Sequence, residues 1–302
     1  MQIQPTQTIA LLGIGAMGQR LAQRLLAVQH TVIVYNRTPE KAQALQNQGA
    51  QLAATPRQAA EQADLVISMV TDDAASRQVW LEPETGAIVG LAANPNQGAI
   101  AIESSTLTVD WTKELASKLQ HQGIPFLDAP VVGSRPQAEA GKLIYLVGGD
   151  AAILAPVRSV LSTMGGAVHH VGANGQGMAM KLAVNALFGI QVAALGEILG
   201  MLQQQGLTRT DALNCLSELP ILSPAAKGAG NLMLTGNHAA LFPIALVAKD
   251  FRYGVAAGQS VKAAMPIAQA VGEVYKGAIV AGYGNDNITG IVQMFSSSPV
   301  ES

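Results

Sequence analysis

Three glycines, Gly13, Gly15 and Gly18, follow the apolar run Thr8–Leu12 in a G-x-G-x-x-G spacing and open a segment with helical periodicity. Between a strand and a helix, the first glycine makes the turn, the second admits a pyrophosphate and the third lets helix and strand approach. Phosphate then rests on the N–H groups at the helix start, where Ile14, Ala16 and Met17 complete the loop. A plain βα turn would also place glycines here, without a ligand. About twenty residues on, where such a site holds a ribose with an acid, stand Asn36, Arg37 and Thr38. A carboxylate would repel a 2′-phosphate. A neutral Asn beside Arg and Thr offers that phosphate donors and positive charge, so this loop is expected to prefer NADP to NAD. The same residues also read as a solvated helix start, with Thr38 as N-cap and Pro39 behind it. The two readings are compatible.

The elements that must position this loop follow from periodicity. Apolar runs of strand length at 8–12, 31–35, 64–70 and 99–102 alternate with helical spacing at 17–28, 39–48 and 109–122. That alternation predicts a parallel sheet with helices on both faces, extended by runs at 125–128, 143–147 and 168–171. After Gly172 the strand-like runs vanish and long Ala/Leu/Met segments take over. The expected division is therefore an α/β nucleotide-binding domain over 1–172 and an all-α substrate and dimerisation domain over 173–302. Residues 176–205 would form one helix about 45 Å long, at 1.5 Å per residue, joining the two. It is apolar nearly all round, which implies burial against the first domain and a second subunit, as a homodimer or homotetramer. The final SSSPVES reads as a loose tail.

Composition narrows the function. The 302 residues are 49% hydrophobic and 13% charged with a net charge of −2, and no Lys/Arg run appears, which argues against a nucleic-acid partner. The lone Cys215 allows no internal disulfide or cysteine metal cage, so a reducing, cytoplasmic setting is expected. A mean hydropathy of +0.27 invites a membrane reading. Residues 178–202, however, are interrupted by Lys181, Asn185, Gln191 and Glu197, leaving no uncharged stretch of roughly 18. Residues 1–7 lack the Lys or Arg of a signal peptide. His169 and His170 have no nearby Cys, Asp or Glu cluster, so no metal site is expected.

Several motifs occur together in order: LLGIGAMG, YNRTPEK, ISMVTDDAA, ESST, DAPVVGSRPQAEAGKL, GQGMAMKLAVN and FPIALVAKDF. Over nearly its whole length the chain resembles the β-hydroxyacid dehydrogenases, which include 3-hydroxyisobutyrate dehydrogenases, tartronate semialdehyde reductases and glyoxylate/succinic semialdehyde reductases. The resemblance implies a Rossmann-type N-terminal domain, an all-α C-terminal domain, a long interdomain helix and an active site in the cleft between the domains. The GSRPQAEAGKL and LSPAAKGAG segments are most similar to the glyoxylate/succinic semialdehyde branch, which reduces short aldehyde acids with NADPH.

Reduction of a carbonyl by hydride creates an alkoxide that needs a proton donor. In the family a lysine of a KLxxN motif supplies it, and Lys181 and Asn185 match that motif. Four residues apart, they share one helix face, and an apolar setting would lower the lysine pKa. A snorkelling surface lysine is the bland alternative, but Met178, Met180, Leu182 and Val184 leave little polar face. By the same resemblance Lys249 approaches the cofactor and Asp250 orients the substrate side, although a charged pair near a helix start is the simpler explanation. Phe242 matches an aromatic of the substrate pocket, with core packing as its alternative. Ser105 and Thr106 match residues beside the nicotinamide. Met69, Val70 and Thr71, also at a strand end, should lie along the ribose and pyrophosphate.

One position departs from the pattern. Where the family usually reads DAPVSGG, Val132 replaces the serine that helps hold a substrate carboxylate. The Gly133 and Ser134 N–H groups could still form a small anion nest. Imine reductases, which share the fold and have more apolar pockets, are therefore the runner-up, although they commonly carry Asp or Tyr where this chain has Lys181. A cofactor-binding sensor without turnover is a third reading.

Overall fold

The computed structural model describes residues 6–96 and 98–295, so the loose-tail reading of 296–302 lies outside the described residues. The chain divides into two compact units, residues 1–181 and 182–302, and the division falls inside one helix.

Unit one is built on a nine-stranded sheet. Its strands are β1 (Thr8–Leu12), β2 (Thr31–Tyr35), β3 (Gln51–Leu52), β4 (Leu65–Ser68), β5 (Ile100–Glu103), β6 (Phe126–Asp128), β7 (Val131–Val132), β8 (Leu143–Gly148) and β9 (Gly165–Gly172). Six of them run parallel in the order 3-2-1-4-5-6, which is the dinucleotide-binding order. Every residue of β4 and β5 is buried, because helices cover both faces of such a sheet. The extension is not parallel throughout, as the run pattern had suggested. β8 pairs antiparallel with β6 and β7 and parallel with β9. β6 and β7 both pair with β8, and the connection from Val132 to Leu143 is too short for the crossover a parallel pair would need.

The helices of this unit are α1 (Gly18–Ala27), α2 (Gln43–Gln46), α3 (Pro56–Ala60), α4 (Asp73–Leu81), α5 (Ala87–Ala93), α6 (Val109–His121), α7 (Arg135–Glu139) and α8 (Ala151–Met164). The helical spacing at 39–48 splits into a 3₁₀ turn, Pro39–Ala42, and the single turn of α2. Side-chain caps start several of the others: Thr55 on α3, Asp72 on α4, Thr108 on α6 and Asp150 on α8 each accept from a first-turn N–H.

α9 (Gln176–Gln204) carries the chain from one unit into the other. Unit two continues with α10 (Arg209–Glu218), α11 (Pro224–Thr235), α12 (Ile244–Ser260) and α13 (Pro266–Ala278) and ends in a 3₁₀ stretch, Ile288–Phe295. Small residues on α9 let neighbours close in. A Cβ on Gly189 would lie 2.5 Å from Phe251, and one on Gly200 would lie 2.5 Å from the Phe295 carbonyl oxygen. Phe251 stacks on Tyr275 with centroids 5.5 Å apart, and the Tyr275 hydroxyl donates to the Gly189 carbonyl. Burial on most faces was expected of α9, yet Met180, Leu187, Ile198 and Met201 stay exposed. By length and composition α9 could cross a membrane, but half of its apolar window is buried within the protein, and a core helix passes the same test.

Candidate active site

The glycine loop leaves the carboxyl end of β1, where the sheet order reverses between β1 and β4. Gly13 and Gly18 are required for different reasons. Gly13 sits at φ +95°, and a Cβ there would lie 2.5 Å from the Met69 carbonyl oxygen at the end of β4. A Cβ on Gly18 would run into the Gly13 carbonyl oxygen, so helix and loop are in direct backbone contact. Around Gly15, by contrast, no protein atom lies within 4 Å of the added Cβ. Nothing in the fold demands a glycine at that position, so the open space fits a cofactor pyrophosphate. No side chain caps the N-terminus of α1, which suits an anion resting on its N–H groups.

Asn36 holds the loop from β2: its Oδ1 accepts from the Ile14 N–H at 3.2 Å and its Nδ2 donates to the Thr38 carbonyl at 2.9 Å. Arg37 and Thr38 are exposed, and Thr38 occupies the N-cap position ahead of Pro39 without making a side-chain cap. Arg20 braces the loop from α1, donating to the Ala16 carbonyl while paired with Glu139. These features form a glycine loop with room for a nucleotide phosphate, and Arg37 lies exposed just past β2.

The ends of β4 and β5 are tied together next to it. The Ser105 hydroxyl accepts from the Val70 N–H at 2.8 Å, fixing the segment Met69, Val70, Thr71 against Ser105 and Thr106. Behind Ser105 lies Glu103, fully buried, one of whose oxygens accepts from the Ser105 N–H and the other from Ser76 Oγ and Trp80 Nε1. Burial pushes the Glu103 carboxyl above its usual range, against the opposing effect of these donors.

On α9, Lys181 and Asn185 are one turn apart and each only 8% exposed, which rules out the snorkelling arrangement. Asn185 Nδ2 donates to Asp250 Oδ2 on α12 at 2.6 Å. Asp250 is buried, and the Lys249 ammonium lies 3.2 Å from its other carboxylate oxygen and 4.9 Å from the Tyr253 ring centroid. The Lys249–Asp250 pair thus joins a buried carboxylate to a partly buried ammonium in the second turn of α12, more than a solvated pair at a helix start. Phe242 packs partly buried against the core of unit two, with its N–H donating to the buried Asn287 side chain at 2.9 Å. Val132 lies in β7, half-buried and paired with Ile144. Gly133 adopts φ +121°, and the Ser134 N–H donates to Gln137 Oε1 at 3.0 Å. An anion at the expected nest would have to displace Gln137. His170 Nε2 lies 2.8 Å from the Gly149 carbonyl oxygen.

Reading by motif passed over Glu103, Asp128 and Asn287 as individual residues. The signal for the first two is an acid closing an apolar strand, in AIAIE and PFLD. Asn287 follows from tertiary packing and has no such signal.

The sheet order, the glycine loop and the polar residues of α9 and α12 together define a dinucleotide-dependent oxidoreductase. Residues 8–172 match the family model described as the NAD binding domain of 6-phosphogluconate dehydrogenase. Residues 175–295 match the one described as NAD-binding of NADP-dependent 3-hydroxyisobutyrate dehydrogenase. The chain belongs to the β-hydroxyacid dehydrogenase family of the 3-hydroxyisobutyrate dehydrogenase type, NAD(P)-dependent oxidoreductases acting on CH–OH groups. It is 30% identical to a glyoxylate/succinic semialdehyde reductase 2 of Arabidopsis thaliana over 97% of this chain and 80% of that protein. It is also 30% identical to the cytokine-like nuclear factor N-PAC of Gallus gallus, again over 97% of this chain, although it spans only 52% of that protein. Among solved structures, a 3-hydroxyisobutyrate dehydrogenase from Mycobacterium tuberculosis with L-serine superposes with a TM-score of 0.84 at 25% identity, over 97% of this chain and all of that one. An imine reductase from Myxococcus stipitatus with NADP+ superposes with a TM-score of 0.59 at 26% identity, over 96% and 99% of the two chains.

Proposed function

We propose that the protein is an NADPH-dependent reductase that interconverts small aldehyde acids, of the glyoxylate and succinic semialdehyde type, with their hydroxy acids. The observation that carries this reading is the pair Lys181 and Asn185, one turn apart on α9 and both buried, with Asn185 anchored on Asp250. A bound nicotinamide cofactor would supply a hydride to the carbonyl carbon. The Lys181 ammonium gives a proton to the carbonyl oxygen, and in the reverse direction its neutral amine takes the proton from the hydroxyl. Asn185, fixed through its Nδ2, presents its remaining amide atoms to the substrate. Arg37 and Thr38 receive the 2′-phosphate. The 30% identity to a glyoxylate/succinic semialdehyde reductase supports the substrate class.

One observation favours a second reading. With Val132 in place of a hydroxyl and the Ser134 N–H held by Gln137, the segment offers few donors to a carboxylate, which suits uncharged carbonyls or imines. The test is oxidation of NADPH, with NADH in parallel, against glyoxylate, succinic semialdehyde, uncharged aldehydes and a cyclic imine. Turnover of the aldehyde acids supports the first reading, and turnover of the neutral substrates alone replaces it with the second. Tight NADPH binding with no turnover would identify a non-catalytic cofactor sensor. The exposed Met180, Leu187, Ile198 and Met201 on α9 favour a homodimer or homotetramer, and a stable monomer by light scattering would refute that.

A further inference from the structure

α9 begins at a position that cannot cap itself. Its N-cap is Gly175, at φ +89° and without a side chain, so the orphan N–H groups of the first turn must find acceptors elsewhere. The Gln176 N–H donates to the Ala173 carbonyl at 3.0 Å, and the Gly175 and Met178 N–H groups share one carboxylate. Asp128, the last residue of β6 and fully buried, accepts from the Gly175 N–H through Oδ1 and from the Met178 N–H through Oδ2, both at 2.8 Å. The cap is therefore supplied by a strand nearly fifty residues earlier in the chain, and each oxygen holds a different point of the same turn.

Two glycines let the backbone approach that carboxylate closely. A Cβ on Gly148 would lie 2.6 Å from Asp128 Oδ1, and one on Gly177 would lie 2.8 Å from Oδ2 and 2.5 Å from the Leu146 carbonyl oxygen. Met178 is gripped a second time, its sulfur accepting from the Leu107 N–H at 3.1 Å. Lys181 follows Met178 by three residues, about 4.5 Å along the axis on an adjoining face, since a helix rises 1.5 Å per residue.

We infer that Asp128 is a positioning residue for the reaction: by pinning both ends of the first turn of α9 to β6, it fixes the axial position and rotation of the helix segment that carries Lys181. This rests on the reading of Lys181 as the proton donor. The carboxylate does not touch substrate. Its contribution is geometric, and a shift of about 1 Å in a proton donor can lower a rate about 10²-fold.

Two variants test it. Asp128→Asn replaces one acceptor oxygen by an amide that cannot accept from an N–H, and Gly177→Ala keeps the carboxylate while crowding the turn against it. Amide hydrogen exchange over residues 175–183 should rise about tenfold in Asp128→Asn as one charge-assisted bond is lost. In both variants kcat for the most rapidly reduced substrate of the panel should fall about 10²-fold while NADPH affinity is kept, and the deuterium isotope effect on hydride transfer should increase. If Asp128→Asn fails to fold, Gly177→Ala decides the question by the same readouts. Unchanged exchange, or faster exchange with unchanged kcat, would overturn the inference. Lys181→Ala, measured in parallel, separates the two claims: if it keeps full turnover the proton-donor reading fails, whatever the exchange data show for Asp128.

Discussion

The glycine loop and the buried polar cluster of α9 and α12 solve opposite problems. The loop works by what is missing: no Cβ at Gly13 or Gly18, where backbone already fills the space, none at Gly15, where nothing does, and no side-chain cap on α1. The cluster works by what is present, two charges and an amide taken out of water around Asp250. A site made of backbone N–H groups binds an anion without changing protonation. A site made of buried ionisable side chains can move a proton, and it depends on exact partners because an unpaired buried charge is costly. Changes in the loop should therefore be read as cofactor affinity or stability, and changes around Lys181 and Asp250 as turnover.

The largest effect expected is that of Lys181→Ala, which should lower kcat by about 10²–10⁴-fold with NADPH binding intact. Steady-state kinetics with fluorescence titration of NADPH would check this, and a parallel loss of cofactor affinity would erase the contrast between the two regions. Next comes a contrast within the loop itself. Gly18→Ala forces a Cβ into the Gly13 carbonyl and should destabilise the fold by about 1–3 kcal/mol, lowering the melting temperature. Gly15→Ala meets no protein atom and should melt like the unmodified chain, yet bind NADPH more weakly. If both variants melt alike and bind alike, the open space at Gly15 is not where the pyrophosphate lies.

How much of this the sequence disclosed follows the same division. The strands at 8–12 and 31–35 stand where periodicity puts them, and two glycines of the G-x-G-x-x-G spacing are legible because positive φ at Gly13 and backbone contact at Gly13 and Gly18 leave no substitute there. The two-residue strands β3 and β7 are too short for any period to register. α8 carries an apolar stripe, Leu154, Val157, Leu161 and Met164, that a search for strand-length runs passes over, whereas α4 buries only Ser76, Val79 and Trp80 and is marked mainly by its cap, Asp72. In the cluster, Lys181 and Asn185 lie within one helical turn and are visible as a pair. The bond from Asn185 to Asp250 joins residues 65 apart in the chain, and no local pattern encodes it. Glu103 was similarly hidden: its donors come from Ser76, Trp80 and Ser105, and only the fold converges them on one carboxylate.

A smaller effect tests the ribose end of the loop. Arg37→Ala should weaken NADPH by roughly ten- to a hundredfold, the worth of a charge-assisted hydrogen bond, and leave NADH nearly unchanged. Titration of both nucleotides decides it, because equal losses would mean Arg37 does not recognise the 2′-phosphate.

The smallest effect concerns Glu103, an acid that behaves unlike Asp250 because its partners are neutral donors. Both of its oxygens accept hydrogen bonds, so Glu103→Gln must turn an amide N–H₂ toward a donor and leave one bond unmade, costing about 1 kcal/mol or less. Burial raises the Glu103 pKa in the folded chain above its unfolded value. A carboxyl raised in this way stabilises the fold most below its unfolded pKa, and that stabilisation is lost as pH rises through the folded pKa. Glutamine has no proton to lose over that range. The stability gap between the unmodified protein and Glu103→Gln should therefore be widest at low pH and narrow as pH increases, which urea unfolding across a pH series would measure. A gap that widens with pH would mean the three donors outweigh burial, making Glu103 a carboxylate held below its ordinary range and, in this respect, no different from an ion-paired acid.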